Sequence, residues 1–369
     1  MPETMRRPDL PPPVTTVGLL GWIRQNLFSS PLQIFLTCVM IALLYTLLAP
    51  FVKWALINAN WSGESREDCT QAGACWVFIK VRLGQFIYGF YPRAERWRVD
   101  TTFVLLILAS LPLFVPSFTK KVWAGVFLFI LYPFIAYTLL VGGVPGLPLV
   151  ETQLWGGLML TLVVAGIGIA TSLPIGIVLA LGRRSAMPVV RAICIAFIEV
   201  VRGVPLITIL FMASVMFPMF LPQGVNFDKL LRVLIGVSLF ASAYMAEVVR
   251  GGLQAIPRGQ YEAAAAMGLG YWKMMGLVIL PQALRIVIPG IVNTFIALFK
   301  DTTLVLIIGL FDLLGIIQAA STDPRWLGYA IEGYVFAGFV FWIFCFSMSR
   351  FSMSLEKKLG AGEQSGWAM

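Results

Sequence analysis

The chain contains no histidine among its 369 residues. That excludes histidine metal sites, histidine general bases and Ser-His-Asp triads. It also lacks a GxxxxGK[ST] stretch, so it encodes no phosphate-cradling P-loop. Charge is scarce: Asp, Glu, Lys and Arg make up 12% of the chain, about half the share of a soluble domain. Alternating segments of ~10 residues, the mark of a membrane β-barrel, are missing. The N-terminal stretch MPETMRRPDLPPPVTTVG has no short apolar core followed by a cleavage site. It reads as a polar, disordered tail and not as a signal peptide.

Apolar residues fill the space left by charge. They make up 59% of the chain and recur in runs near the length that crosses a bilayer as a helix. The expected fold is an all-α polytopic membrane protein of about eight spans, roughly 32–57, 101–116, 122–141, 153–181, 188–220, 230–250, 283–318 and 328–350. Pro174, Pro205 and Pro289 are candidate kinks. Lys and Arg in short loops set orientation. Lys120, Lys121, Arg183, Arg184, Arg191, Arg250, Arg258, Lys273, Arg285, Arg350, Lys357 and Lys358 share a side with Arg6, Arg7 and Arg24, whereas the later external loops hold only Lys229, Arg232 and Arg325, which places both termini in the cytoplasm. Loop 58–100 then lies outside, despite its own Arg66, Lys80, Arg82, Arg93, Arg96 and Arg98. Within that loop, CWVFIKVRLGQFIYGFY reads as an interfacial helix on the outer surface. The expected organisation is a tail (1–31), a three-span section (32–150), a five-span core (151–355) with cytoplasmic loop 251–282, and a tail (356–369).

Cys38, Cys194 and Cys345 sit in apolar runs and read as packing residues. Cys69 and Cys75 lie in the long polar loop WSGESREDCTQAGACW. In an oxidising compartment they suit a local disulfide; otherwise they are two free thiols.

The pentapeptide EVVRG occurs twice, at Glu199–Gly203 and Glu247–Gly251. Glu199 falls eight residues after Arg191, roughly 12 Å along a helix. Charges inside a membrane face a partner or a cavity. Glu199 and Arg202, at i and i+3, are expected to pair on one helix face, either as a salt bridge at the Pro205 kink or as part of a substrate pathway. The second copy is expected to close a span, with Gly251-Gly252 releasing the chain into the next loop.

A stronger pathway candidate is Lys300-Asp301-Thr302-Thr303. Asp301 lies 16 residues past Arg285, roughly 24 Å along a helix and deep in the bilayer. A free amino acid needs an acceptor for its ammonium and donors for its carboxylate, and this tetrapeptide supplies both types. The bland alternative is a Lys–Asp pair, made internally or with another subunit.

The loop RGGLQAIPRGQYEAAAAMGLGYWKMMGLVILPQALR is too polar to be a span and too alanine-rich to be a linker. Pro257 suits a helix start, QYEAAAAM forms helix readily, and Gly268 and Gly270 permit a sharp turn. The expected product is a protruding helix–turn–helix whose short side chains let another protein approach its backbone. Glu262-Ala263-Ala264, Gly268 and Val278-Ile279-Leu280-Pro281 resemble the signature EAA-x3-G-x9-I-x-LP of ABC importer permeases. The one departure is Val278 in place of Ile. The stretches FIEVVRGVPL, SAYMAEVVRGGLQAIPRGQ, ILPQALRIVIPG and FIALFKDTTLV resemble the polar amino acid branch of that family over about residues 151–355. The front section, with ERW and TQLWGGLMLTL, is most similar to permeases for broad-specificity L-amino acid uptake. The resemblance implies a type I importer fold and a subunit that is not itself an enzyme. It further implies no cofactor on this chain, with ATP and Mg on two separate ATPase subunits. The implied partners are a homologous second permease and a periplasmic amino-acid-binding protein, in a bacterial inner membrane, with no nucleic acid. Glu262, Ala263, Ala264 and Gly268 would lie at the ATPase contact. An ion-coupled secondary transporter is the main rival, but such chains usually show repeated halves, and none is visible.

Overall fold

The computed structural model describes residues 18–364 apart from 71, 116 and 223–226. Most of the expected N-terminal tail and the last five residues therefore lie outside the described residues. Those described form helices joined by loops and isolated bridges, with no β-strand. The chain divides into two compact units, Met1–Val77 and Phe78–Met369.

The first unit contains the helix Gly18–Leu27 and the long helix Pro31–Ile57. The Ser30 hydroxyl accepts from the Gln33 N–H at 3.3 Å and Pro31 occupies the first turn, both favourable at a helix start. No residue of Pro31–Val52 is buried. A helix apolar on every side and unburied by protein is built for lipid. In the following loop, Asp68 accepts from the Glu64 and Ser65 N–H groups at 2.9 and 3.0 Å. Cys69 and Cys75 form a disulfide, with Cα atoms 5.6 Å apart.

The second unit holds the remaining long helices: Arg93–Phe114, Lys121–Val141, Gly157–Arg183, Lys229–Ala255, Ile288–Ile308 and Ala330–Lys358. With Pro31–Ile57 these make, among the described residues, seven helices long and apolar enough to cross a membrane, or eight if the bent pair Pro188–Gly203 and Leu206–Phe220 counts as one span. The kink expected at Pro205 is present and sharp: the two helices within 188–220 meet at 105°. Val204 is extended ahead of Pro205 because proline disfavours helical backbone at the residue before it. Two other expectations need correction. The expected span 283–318 is three pieces. One helix ends at Ile286, a second starts at Ile288 with Pro289 in its first turn, and the chain turns at Gly309, φ 73°. A further short helix, Leu313–Ser321, is capped by buried Asp312, which accepts from the Gly315 N–H at 2.9 Å. Second, Gly251-Gly252 do not release the chain. Helix Lys229–Ala255 continues through them, and a Cβ at Gly252 would sit 2.6 Å from the Ala283 carbonyl oxygen. That glycine permits close helix packing. Pro174 lies inside the unbroken helix Gly157–Arg183.

The helix read as interfacial, Trp76–Tyr88, packs on protein in its second-unit portion. Phe78 and Phe86 are fully buried, against Trp326 and Phe336 respectively, and Arg82 pairs with Asp323. The core divides along the length of Lys229–Ala255. Near one end, Tyr91, Trp155, Leu160, Val233 and Val305 cluster. Near the other, Ile198, Met245, Val249, Leu253, Ile279 and Ala283 do.

Candidate functional site

The two EVVRG copies meet in space. The Glu247 carboxylate receives Arg183 Nη1 at 2.6 Å and Arg250 Nη2 at 2.6 Å, with Arg202 Nη1 at 3.7 Å. Glu199 pairs with the other terminal nitrogen of Arg183 at 3.2 Å. Arg202 also lies over the Tyr244 ring, 5.5 Å from its centroid. The expected Glu199–Arg202 pair therefore does not form. Spacing i, i+3 allows the contact, but each residue instead pairs across helices, Glu199 with Arg183 and Arg202 with Glu247. Three guanidiniums share two carboxylates, and three helices are tied together: Gly157–Arg183, Pro188–Gly203 and Lys229–Ala255. Only Glu247 is well shielded, its side chain 14% exposed against 61% for Glu199. Arg183 was legible only as a loop cation, and nothing in its local sequence singles it out as the bridge.

Lys300-Asp301-Thr302-Thr303 falls where the α-helix Ile288–Asp301 tightens into the 3-10 turns Thr302–Ile308. Lys300 is exposed and Asp301 half-buried, and among the described residues neither makes an ion pair. The threonines are occupied by the helix itself. Thr302 Oγ1 donates to the Phe299 carbonyl at 2.8 Å and Thr303 Oγ1 to the Lys300 carbonyl at 3.0 Å. Thr302 is buried. The two charged groups thus remain open to a ligand or partner, and the hydroxyls are already engaged as donors.

The polar loop forms the expected hairpin. Helix Arg258–Ala266 follows Pro257 and is succeeded, after a turn, by helical residues 271–286. Gly268 has φ +74°, and nothing lies within 4 Å of a Cβ built there. The Leu269 N–H closes back on the Ala264 carbonyl at 3.2 Å, the helix-ending turn that a left-handed glycine allows. Glu262 and Ala263 are exposed whereas Ala264 is buried. The motif therefore splits into an outward pair and an inward packing residue. Met267 and Trp272 flank the turn with 72% and 75% of their surface free. Gln282 Nε2 donates to Gln260 Oε1 at 3.2 Å across the hairpin. Arg184 Nη1 reaches the Tyr261 hydroxyl at 3.1 Å, joining the hairpin to the C-terminal end of helix Gly157–Arg183.

At the opposite end of Lys229–Ala255 lies a cleft of about 480 Å³, lined by Gln153, Asp228, Lys229, Arg232 and the Gly309–Phe311 turn. The sequence marked its two cations only as members of a loop. No group of three or more metal-ligating side chains occurs among the described residues.

Residues 172–360 match the family of binding-protein-dependent transport system inner membrane components. The inner membrane amino-acid ABC transporter permease protein YhdY of Escherichia coli (strain K12) is 54% identical over 334 residues, covering 89% of this chain and 90% of that protein. The glutamate/glutamine/aspartate/asparagine transport system permease protein BztC of Rhodobacter capsulatus is 42% identical, covering 86% of this chain and 88% of the relative. The probable glutamine ABC transporter permease protein GlnP of Bacillus subtilis is 35% identical over 46% of this chain but 78% of its own length.

Proposed function

The chain belongs to the binding-protein-dependent transport system inner membrane components, and from that premise we propose that it is the membrane-spanning subunit of an ABC importer that carries amino acids into the cytoplasm. Relatives named as amino-acid permeases, one of them for glutamate, glutamine, aspartate and asparagine, support the substrate class. In this reading the chain performs no bond chemistry. ATP and Mg bind to two separate ATPase subunits, a binding protein delivers the amino acid from outside, and a homologous second permease completes the pathway. Both termini and the hairpin lie in the cytoplasm.

One observation carries the reading: the hairpin turn. Glu262 and Ala263 face outward, Gly268 has no side chain, and Met267 and Trp272 leave apolar surface uncovered. Such a turn suits a concave groove on another protein, because a backbone without side chains can be approached closely. Lys300 and Asp301 are the favoured pathway residues, since charged groups at membrane depth persist where a cavity or a partner receives them. The test is purification from the native membrane followed by reconstitution. An ATPase subunit should accompany the chain, and amino acid uptake should require binding protein and ATP. A chain that purifies without an ATPase, or transports on an ion gradient alone, would overturn the proposal.

A further inference from the structure

The cleft between Gln153, Lys229, Arg232 and the Gly309–Phe311 turn lies about two-thirds of a helix length from Glu247 of the charged network, at the end that the proposed orientation places outside the cytoplasm. Its volume, about 480 Å³, is in the range of small-ligand sites. Lys229 and Arg232 stand one turn apart on the first turns of a 27-residue helix. Positive side chains there oppose the helix macrodipole, so helix stability does not explain them. Among the described residues neither makes an ion pair. The one carboxylate in the lining, Asp228, is already engaged: it accepts from the Leu231 N–H at 3.1 Å and from Thr152 Oγ1 at 2.5 Å. Arg232 anchors itself on the Ser214 carbonyl through one terminal nitrogen and leaves Nε buried without a hydrogen-bond partner. The turn at Gly309 is left-handed, and a Cβ there would meet Lys229 Nζ at 3.2 Å, so the glycine keeps the ammonium's surroundings clear.

We propose that this cleft is an outer entry site for the carboxylate groups of the arriving amino acid, held by Lys229 and Arg232, and that it favours acidic amino acids over their amides. The inference rests on the amino acid reading above. Two cations against one carboxylate leave an excess of positive charge in the lining, which attracts an anion, and a second carboxylate on the substrate adds to that attraction. Lys229 is the informative position, because Arg232 also supports the Ser214 backbone.

The experiment uses the complete complex in proteoliposomes, with binding protein saturated by either glutamate or glutamine. Lys229→Gln should slow glutamate uptake about two- to fivefold more than glutamine uptake, the span expected for losing one exposed ion pair. Lys229→Arg should restore most of the difference, and raising salt should shrink the wild-type preference. Equal losses for both substrates, with a higher binding-protein concentration needed for half-maximal rate, would overturn the proposal and assign the cations to docking an acidic protein surface. Unchanged rates for both would overturn it and leave the cleft without a role. A wild-type complex that carries neither amino acid would overturn the amino acid reading and this inference with it.

Discussion

Neutralising Glu247 is the perturbation with the largest expected structural cost. Its carboxylate receives Arg183 and Arg250 at 2.6 Å each and has Arg202 nearby at 3.7 Å. Hydrogen bonds to charged groups contribute about 1.5–3 kcal/mol each, so two give roughly 3–6 kcal/mol before screening. Arg183 and Arg250 are 23% and 32% exposed, and solvent lowers the cost of leaving them unpaired to about 2–4 kcal/mol. Glu199 is 61% exposed and makes one contact at 3.2 Å. Glu199→Gln should therefore cost about 0.2–1 kcal/mol, the range of an exposed pair. The assay is denaturant unfolding of the purified complex in detergent, with both variants and Arg183→Gln in a double-mutant cycle. Glu247 and Arg183 should couple by about 1 kcal/mol or more, and Glu199 and Arg183 by less. Equal costs for Glu247→Gln and Glu199→Gln, or no coupling between Glu247 and Arg183, would refute the assignment of Glu247 as the hub.

Gly252→Ala should destabilise by about 1–3 kcal/mol, because a Cβ there meets a backbone oxygen that cannot rotate away; the same unfolding assay reads it. Gly268→Asp should leave the chain assembled in the membrane and abolish ATP-driven uptake, since the new side chain points into space that a docked partner would fill; wild-type uptake by the variant would contradict this. Asp301→Asn should lower uptake of arginine more than that of glutamate if the carboxylate receives a substrate ammonium. Equal losses per assembled complex would assign it to structure instead. Asp323 is held down to about 2 by Arg325, through its side chain and its backbone N–H, and then by Arg82. A lowered carboxylate contributes stability that is fully present above its unfolded value, near 3.8, and lost as pH falls through about 2. Acid unfolding followed below pH 4 should lose that slope in Asp323→Asn.

Features written in local sequence were legible. Apolar runs fixed the number of spans, because a bilayer demands a length and tolerates few charges. The hairpin was legible because Pro257, the alanine run and Gly268 each constrain their own backbone. Pro205 marked a break but not its 105° angle, which depends on what the second half packs against. The end of the seventh expected span was invisible to hydropathy. Residues on both sides of Gly309 are apolar, and only the turn at that glycine separates them. Pairing was the least legible feature. Spacing tells which residues on one helix can touch, whereas Arg183, Glu199, Arg202 and Glu247 find each other through the packing of three helices.

That packing gives the proposed hairpin a route to the rest of the unit. Helix Lys229–Ala255 has 27 residues, roughly 40 Å at 1.5 Å per residue. It carries Lys229 and Arg232 at one end and Glu247 and Arg250 near the other. Only Ile256 separates it from Pro257 and the hairpin helix, and Ile256 is itself buried with Leu253, Met275 and Ile279. No slack loop lies between hairpin and helix, and Gly252 is packed against the backbone of Ala283. A push on the hairpin must therefore move the helix or break that packing. If the helix moves, Glu247 moves with it and draws on Arg183 and Arg202, and through Arg202 on the helix that ends at the Pro205 bend. The extended residue Val204 at that bend is free of regular helix and can absorb rotation. The charge network is placed to make the three helices respond together, and the bend to let the segment beyond it respond differently.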